Sequence, residues 1–268
     1  MLNLKRLILP CRILLFIVLF ISSILINLIL PIKAYTQSEI VPSTTAMLAQ
    51  QNTFSVPKEF RGRIVRKVNP ISDKKVIALT FDDGPSPNIT PQILDILKEH
   101  KIKVTFFLIG NNLKKNPELG KRLVAEGHAI GNHTWHHWRR LMNEFTATHE
   151  IEDNATLIYE TTGIKTSLFR PPNGFLYNGL VDYAQKRKDA VILWSVDSDD
   201  WRGPKVSVEH IVDKVLKKVQ PGTIILMHDG GGDRSHTVQA LPKIIDAINQ
   251  QGYEFVTVPE LLPLGNRE

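Results

Sequence analysis

From Lys74 onward, short apolar segments alternate with longer segments of helical pattern, and this alternation restricts the fold more than any other feature. Strands are predicted at residues 76–81, 104–109, 128–132, 190–196, 223–228 and 253–258. Helices are predicted at residues 91–101, 117–126, 146–162, 178–188, 207–219 and 237–250. Strands connected by helices of this length pair in parallel. About six or seven such units favour an α/β barrel, complete or incomplete, over an open two-layer sheet.

Polar residues lie at the C-terminal ends of several predicted strands. They are Asp82, Asp83, His133, the acidic segment 197–200 and His228. The C-terminal ends of barrel strands meet at one rim, and α/β barrels form their active sites there. We therefore expect these side chains to share one site.

Two of these strand ends carry side chains suited to a divalent metal. Asp82 and Asp83 are adjacent carboxylates, although an Asp-Gly-Pro sequence also occurs in simple turns. His133 and His137 have the spacing that places two imidazoles on one face of a helix, and His136 leaves the choice of pair open. One carboxylate and two imidazoles supply three ligands and leave a coordination position for water and substrate. The second carboxylate is then free to act as a base.

Three further segments fit a hydrolytic site. Arg170 precedes a stiff Pro-Pro turn, and its guanidinium could orient a carboxylate through paired hydrogen bonds. The segment 197–201 places acidic residues next to Trp201. His228 could protonate a leaving group if a nearby acid raises its pKa. Each segment alone could be an ordinary loop or a structural histidine, so the argument depends on their joint occurrence.

The N-terminus indicates export. Lys5, Arg6 and Arg12 precede an almost uninterrupted apolar stretch at 13–30, which is the pattern of a signal peptide or a membrane anchor. No convincing cleavage site follows, so both interpretations stay open. The only cysteine, Cys11, lies before this stretch, so the exported part has no disulfides and its metal site must use nitrogen and oxygen ligands.

The positive net charge is mainly a property of the same N-terminal segment. The formal net charge is +6, and Lys5, Arg6, Arg12 and Lys33 all lie in the segment, which has no acidic residue. Positive charge beside an apolar segment tends to remain cytoplasmic. No basic stripe interleaved with aromatic residues occurs elsewhere in the sequence. We therefore expect no nucleic-acid partner.

The ordered motifs resemble a known family. Thr-Phe-Asp-Asp-Gly-Pro, His-Thr-x-x-His, Arg-Pro-Pro-x-Gly, Asp-x-x-Asp-Trp and Leu-x-His are similar to the five motifs of the polysaccharide deacetylases, which include chitin, peptidoglycan and acetylxylan deacetylases. The resemblance runs from about residue 74 to residue 262. It implies a distorted (β/α)7 barrel and a divalent metal, usually zinc, with cobalt or nickel as alternatives.

The resemblance also implies a set of metal and acid–base residues. Asp82 is the expected general base, and Arg170 is expected to position it. The expected metal ligands are Asp83, His133 and His137. His228 is the expected general acid, with Asp200 tuning its pKa.

Three further residues are implied to contact the substrate. Trp201 and Leu226 resemble the walls of the pocket for the acetyl methyl group. Asn173 stands where the family often has tyrosine, at a position whose backbone N–H helps to hold the oxyanion. Because the backbone supplies that contact, the change to asparagine affects substrate contacts more than catalysis.

The expected organisation places one catalytic domain after an export segment. The predicted parts are a signal peptide or membrane anchor at 1–34, a linker and lead-in at 35–73, a catalytic domain at 74–262 and a C-terminal tail at 263–268. The protein is expected to be exported, either anchored in the membrane through the uncleaved segment or secreted or periplasmic after cleavage.

The expected function is metal-dependent removal of N-acetyl groups from an extracellular amino-sugar polysaccharide, with peptidoglycan N-acetylglucosamine as the preferred substrate. Chitin oligomers and acetylxylan are alternatives within the family. A glycan-binding protein that has lost turnover is an alternative from another class. A metallopeptidase is disfavoured because Thr134 stands where an H-E-x-x-H motif has its glutamate.

Overall fold

The computed structural model describes residues 53–54 and 56–267. The predicted export segment at 1–34 and the linker up to residue 52 lie outside the described residues. No helix in the described part has the length and apolar character needed to cross a membrane.

Strands and helices alternate through most of the described chain. The strands are β1 (Thr53–Phe54), β2 (Ile64–Val65), β3 (Val68–Pro70), β4 (Val76–Asp82), β5 (Thr105–Leu108), β6 (Ala129–Asn132), β7 (Lys165–Thr166), β8 (Leu168–Phe169), β9 (Ala190–Ile192), β10 (Val196–Asp197), β11 (Ile224–His228), β12 (Glu254–Phe255) and β13 (Gly265–Arg267). The helices are α1 (Thr90–Glu99), α2 (Gly110–Lys115), α3 (Pro117–Ala125), α4 (Glu144–Thr162), α5 (Leu180–Lys186), α6 (Val208–Leu216), α7 (Ser235–Gln250) and α8 (Val258–Leu261).

The main sheet is parallel and curled. Its strand order is β10-β11-β4-β5-β6-β8-β9-β2, and β12 also pairs with β4. Strands β9 and β10 belong to one extended segment, of which the first part pairs with β8 and the second part with β11. This segment therefore joins the two sides of the sheet. The prediction of an α/β fold with a distorted barrel is confirmed.

Strand β4 shows how the core and the site share one element. Ile77, Leu79 and Phe81 pack in the cluster that contains the apolar faces of the surrounding helices. Ala78 points the other way, into a second cluster with residues from several barrel strands. Because side chains alternate along a strand, Asp82 lies on the same face as Ala78, at the C-terminal end of the barrel interior.

Register between neighbouring strands brings the predicted site residues to one rim. Asp82 pairs with His228 on one side and with Phe107 on the other. Further round the sheet, Asn132 pairs with Phe169, so the residues that follow them, His133 and Arg170, leave the sheet at the same edge. The expectation of converging strand ends agrees with this register.

The structure differs from the sequence prediction in several short elements. The predicted strand at 190–196 is two strands, β9 and β10, with a break between them. Helix α2 and the two-residue strands β2 and β8 were not predicted, because such short elements show no hydrophobic periodicity. The expected lead-in contains β2 and β3, and β3 pairs in antiparallel fashion with β13 in the expected tail.

Gly131 in β6 provides a test of the packing beneath the site. A Cβ atom at this position would lie 2.4 Å from the ring of Phe107, which is fully buried and stacks at 4.0 Å under the Arg170 guanidinium. We expect Gly131→Ala to lower the free energy of unfolding by about 1–3 kcal/mol, as overpacked core substitutions do. Denaturant unfolding followed by circular dichroism measures this change.

A second substitution tests whether contact with the Phe107 ring causes the loss of stability in Gly131→Ala. Phe107→Leu removes the ring that the new methyl group would contact. The double variant should therefore lose less free energy of unfolding than the sum of the losses in the two single variants. Simple additivity would show that the ring does not limit the space at Gly131.

Candidate active site

Arg170 fixes the position of Asp82. Both side chains are buried, and Arg170 Nη1 donates hydrogen bonds to Asp82 Oδ1 at 2.6 Å and to Thr80 Oγ1 at 2.8 Å. Arg170 also donates to the backbone carbonyls of Ile192 and Leu193. With Oδ1 occupied by this contact, Asp82 presents Oδ2 towards the ring of His133, 3.6 Å from Nε2.

Asp83, His133 and His137 form a group that could hold a metal ion. Asp83 Oδ1 lies 3.5 Å from His133 Nε2 and 3.3 Å from His137 Nε2. Two ligands that are each about 2.0–2.1 Å from a tetrahedral zinc ion lie about 3.3 Å apart, so these spacings fit such an ion. Asp83 Oδ1 is buried and has no hydrogen-bond donor within the described structure, which also fits a cation as its partner.

Hydrogen bonding sets the tautomer of His133. Its Nδ1 lies 2.7 Å from the backbone carbonyl oxygen of Arg170, and a carbonyl can only accept. In the neutral ring, Nδ1 therefore keeps the proton, and the lone pair of Nε2 is left to point towards Asp83. A metal-binding histidine commonly has this arrangement, with the second ring nitrogen donating to a carbonyl or carboxylate.

The three candidate ligands have strongly altered proton affinities. Burial acts to raise the pKa of Asp83, but the positive charges of the adjacent His133 and His137 rings hold this pKa well below its usual range. Burial acts to lower the pKa of His133, but the charges of Asp82 and Asp83 raise it. Burial and the charge of His133 lower the pKa of His137 to about 4. Because metal ligation requires neutral imidazoles, binding would displace the proton from His133.

The two imidazoles converge through a loop, and the expectation that they share a helical face is wrong. Residues 133–143 form no helix. Thr134 and His137 have positive φ angles of 67° and 60°. This conformation is especially unusual for Thr134, because threonine is β-branched. Thr134 keeps it through local bonds, since its N–H donates to Asn132 Oδ1 and its Oγ1 accepts from the N–H of His137.

Glu150 fixes His136 and separates it from the metal group. The two carboxylate oxygens of this buried residue of α4 accept from the backbone N–H and from Nδ1 of His136. The His136 ring stacks on Trp138 with centroids 4.1 Å apart. In the described structure, Asp83 groups with His133 and His137, while Glu150 holds His136 away from them.

Asn154 is a second buried residue of α4 that supports the loop. Its Nδ2 lies within hydrogen-bond distance of the Leu108 carbonyl, Asn132 Oδ1 and the Thr134 carbonyl. It thus connects the ends of β5 and β6 to the loop that carries the imidazoles. Sequence analysis did not find Glu150 or Asn154, although polar residues at inward positions of an amphipathic helix could have drawn attention to them.

His228 is paired with Asp200. His228 Nδ1 donates to Asp200 Oδ1 at 2.7 Å, and the His228 backbone N–H donates to Oδ2 at 2.8 Å. Thr237 Oγ1 donates to the same Oδ2 at 2.9 Å. Burial acts to lower the pKa of His228, but the charge and hydrogen bond of Asp200 outweigh it and raise the pKa to about 9. His228 is therefore protonated at neutral pH.

Asp229 supports the Asp83 turn from behind. Its backbone N–H donates to the Asp82 carbonyl, and its Oδ2 accepts from Thr90 Oγ1 at 2.6 Å. Its carboxyl group packs directly on the Cα of Gly84, where any Cβ would overlap it. Burial raises the pKa of Asp229 to about 7. Sequence analysis did not predict this contact, because Asp229 directly precedes a run of three glycines and shows no pattern of a buried residue.

A cavity of about 460 Å³ opens between these groups. Eight of the predicted site residues line it, namely Asp82, Asp83, His133, His137, Asn173, Trp201, Leu226 and His228. Arg170 and Asp200 lie behind it and act through Asp82 and His228. Among the other lining residues, sequence analysis placed Asp197 at the rim but gave no role to Arg139, Trp194 or Arg234.

Two backbone conformations shape the wall of this cavity. Asn173 has φ 55° and ψ 17°, a left-handed conformation that asparagine tolerates better than most residues. Gly231 has φ 72°, and a Cβ there would lie 2.4 Å from Asp83 Oδ2. Glycine at 231 thus leaves room for the carboxylate of Asp83.

Comparisons with known proteins agree with this architecture. A family model described as polysaccharide deacetylase matches residues 69–190. A peptidoglycan-N-acetylglucosamine deacetylase of Bacillus cereus is 43% identical over 196 residues, which are 71% of this chain and 90% of the relative.

Solved structures of similar proteins share the fold. The Bc1960 peptidoglycan N-acetylglucosamine deacetylase, in complex with a substituted benzamide, is 36% identical with a TM-score of 0.71, covering 78% of this chain and 96% of that one. Wild-type BA3943 of Bacillus anthracis, described as a CE4 family pseudoenzyme, is 30% identical with a TM-score of 0.67, covering 74% of this chain and 68% of that one. The second example shows that this fold also occurs in a protein described as a pseudoenzyme.

The contact between Glu150 and His136 predicts an effect on metal affinity. In Glu150→Gln, one of the two acceptor oxygens becomes a donor, so one N–H of His136 loses its partner and the loop loses support. We expect zinc affinity to fall about tenfold or more, as it does when residues that orient metal ligands are changed. Competition with a chelator of known affinity measures this change.

Asp153→Asn is the matched control. Asp153 lies on the same helix and also pairs with a histidine, His149, but both side chains are exposed. This variant should bind zinc as the wild type does. Equal affinities in all three proteins would mean that Glu150 does not support the ligands.

Proposed function

The chain belongs to the polysaccharide deacetylase family, and we propose that it removes N-acetyl groups from peptidoglycan N-acetylglucosamine, an amino-sugar polysaccharide of the cell envelope. One observation carries the proposal. A buried Asp82–Arg170 pair lies beside an Asp–His–His group, and a protonated His228 is the neighbour of Asp82 in the sheet. This arrangement offers a base, a cation site and an acid around one cavity.

We assign the Asp–His–His group to a divalent cation. The ligands are Asp83, His133 and His137, and zinc is the first choice, with cobalt or nickel as alternatives. When bound, such a cation polarises a carbonyl oxygen and lowers the pKa of a bound water. The donor set of one carboxylate and two imidazoles suits these metals and leaves a position for substrate.

Asp82 is assigned as the general base. Arg170 occupies Oδ1 and fixes the orientation of the carboxylate. Oδ2 is then the oxygen that accepts a proton from the water that attacks the acetyl carbon. The backbone N–H of Asn173, on the cavity wall, donates to the oxyanion that develops on the former carbonyl oxygen.

His228 is assigned as the general acid. Its Nδ1 is bonded to Asp200, so Nε2 is the atom that can donate a proton. It protonates the sugar nitrogen as the carbon–nitrogen bond breaks, which yields acetate and a free amine. Leu226 and Trp201 form an apolar wall for the acetyl methyl group. That wall favours acetyl over larger or charged acyl groups.

Three considerations favour peptidoglycan. The Bacillus cereus relative and the Bc1960 structure are both peptidoglycan N-acetylglucosamine deacetylases by name. The N-terminal sequence at 1–34 is that of an export or anchoring segment, so an exported chain would meet the cell wall first. If this segment is uncleaved, the membrane is a further partner. Chitin oligomers and acetylxylan remain alternative substrates.

A non-catalytic glycan-binding role is the competing proposal, given the pseudoenzyme among similar folds. Tight glycan binding with no acetate release in zinc-supplemented buffer would favour that role. The presence of a base, an acid and three ligand side chains in one cavity favours turnover instead.

The proposed function predicts acetate release that depends on Asp82. The zinc-loaded protein should release acetate from peptidoglycan strands faster than from chitin oligomers or acetylxylan, as measured by mass spectrometry. Asp82→Asn keeps the shape of the side chain but removes the base, so kcat should fall by about 10²–10⁴. An unchanged rate in this variant would show that Asp82 is not the base.

The raised pKa of His228 predicts a pH dependence. A general acid with a pKa of about 9 stays protonated through neutral pH, so activity should decline only as pH rises through about 9. In Asp200→Asn the stabilising charge is lost, the pKa of His228 falls and the basic limb of the kcat/KM profile moves to lower pH. Initial rates across pH 5–10 measure this shift (about one unit or more).

Asp199→Asn is the matched control for the pH profile. Asp199 is the preceding residue, but its carboxylate pairs with His210 and Lys214 at the surface. The basic limb of the kcat/KM profile of Asp199→Asn should coincide with that of the wild type. An Asp200→Asn profile that also coincides with the wild type would remove His228 from the role of acid.

A further inference from the structure

Two loops beside the cavity expose large apolar side chains. Leu141 is 78% exposed on the loop after β6, and Phe175 and Tyr177 are 49% and 82% exposed on the loop after β8. Single exposed apolar side chains are common, but a contiguous group of them marks a contact surface. We call Leu141, Phe175 and Tyr177 the rim patch.

The two loops contact each other, so the rim patch is one surface. The backbone N–H of Met142 donates to the carbonyl of Asn178 at 3.0 Å. A Cβ on Gly179 would lie 2.6 Å from the Met142 carbonyl oxygen, which shows how closely the backbones approach. Leu141 and Tyr177 immediately precede the two bonded residues and are therefore neighbours.

The rim patch continues the wall of the cavity. Asn173 lines the cavity, and the backbone turns there so that the N–H of Phe175 donates to the Pro172 carbonyl. A cavity of about 460 Å³ has room for the reacting sugar but not for a polymer. The sugars on either side of the reacting one must therefore lie on surface outside it.

The aromatic rings of the rim patch differ from others at the same edge. Trp138 is covered by His136 on one side, at 4.1 Å, and by the Arg140 guanidinium at 3.9 Å. In the described part of the chain, no aromatic ring or cation stacks on Phe175 or Tyr177. Their faces are thus available to a ligand with flat apolar surfaces.

We propose that the rim patch binds the sugar rings of a glycan strand that flank the reacting residue. This inference rests on the proposed function and adds where the polymer lies. The C–H faces of pyranose rings suit exposed aromatic rings, which bury apolar area while their edges remain near water. The three side chains are apolar or phenolic, so they would contact ring faces, while the exposed Arg139 and Arg140 beside Leu141 are the nearest charges on that loop.

The test compares glycan strands of two to six sugars, prepared from both chitin and peptidoglycan, with the zinc-loaded full chain. Wild-type kcat/KM should rise with length as flanking sugars reach the patch. Tyr177→Ala and Phe175→Ala should each lower kcat/KM for the longest strand about tenfold, mainly through KM, and by progressively less for shorter strands. Leu141→Ala should act in the same direction with a smaller effect.

Two exposed residues outside the rim serve as controls. Ile71 matches the exposure of Leu141 at 78% but precedes β4, at the opposite end of the barrel. Tyr159 is an exposed aromatic residue near the C-terminal end of α4. Ile71→Ala and Tyr159→Ala should show wild-type rates at every length.

The outcomes separate this inference from the proposed function. Absence of acetate release by the wild type from every strand would overturn the proposed function and this inference with it. Wild-type activity with rim-patch variants that keep the same length dependence would overturn the inference alone. The same holds if the variants change only self-association in light scattering or binding to lipid vesicles, because the patch would then bind another chain or a membrane.

Discussion

The buried ion pair between Arg170 and Asp82 is the interaction on which both the barrel interior and the chemistry depend. A fully buried guanidinium is costly to desolvate, and here a carboxylate, a hydroxyl and two carbonyls replace its water. These partners come from β4 and from the segment that begins with β9, so the charge connects opposite sides of the barrel. Removing either member would leave the other buried and unpaired, which couples the stability of this rim to the identity of the base.

Two buried pairs of charged side chains lie side by side in this rim. One presents a carboxylate held by a cation, and the other presents an imidazole held by an anion. Asp82 is bonded to the cation Arg170, whereas His228 is bonded to the anion Asp200, which raises the pKa of His228. Their strands pair in register, so both groups face one cavity. A base and an acid can therefore coexist at neutral pH because each has its own buried partner. Separate partners are the usual way in which one site performs both proton transfers.

The sequence predicted the barrel and the site residues because both leave strong local signals. Apolar strands ending in Asp82 or His228 could be located from pattern alone, and parallel pairing implied that their ends converge. Supports such as Glu150 and Asn154 were not found, since the loop groups that they contact could not be located from the sequence. The His133–His137 spacing suggested a shared helical face, whereas a loop brings the two rings beside Asp83. The export segment lies outside the described residues and remains a prediction.

Because His133 and His137 lie on a loop and not on a helix, contacts from outside the loop must hold the metal group in place. On a helix, two imidazoles four residues apart would converge through backbone hydrogen bonds alone. Here the intervening Thr134 has a strained left-handed conformation that persists only if its surroundings determine it. Glu150 and Asn154 supply those surroundings from α4, a helix that contributes no side chain to the cavity lining. The ligand geometry is therefore a property of the α4–loop contact as much as of the ligands themselves. For this reason, substitutions on a buried helix face can alter metal binding without touching the metal.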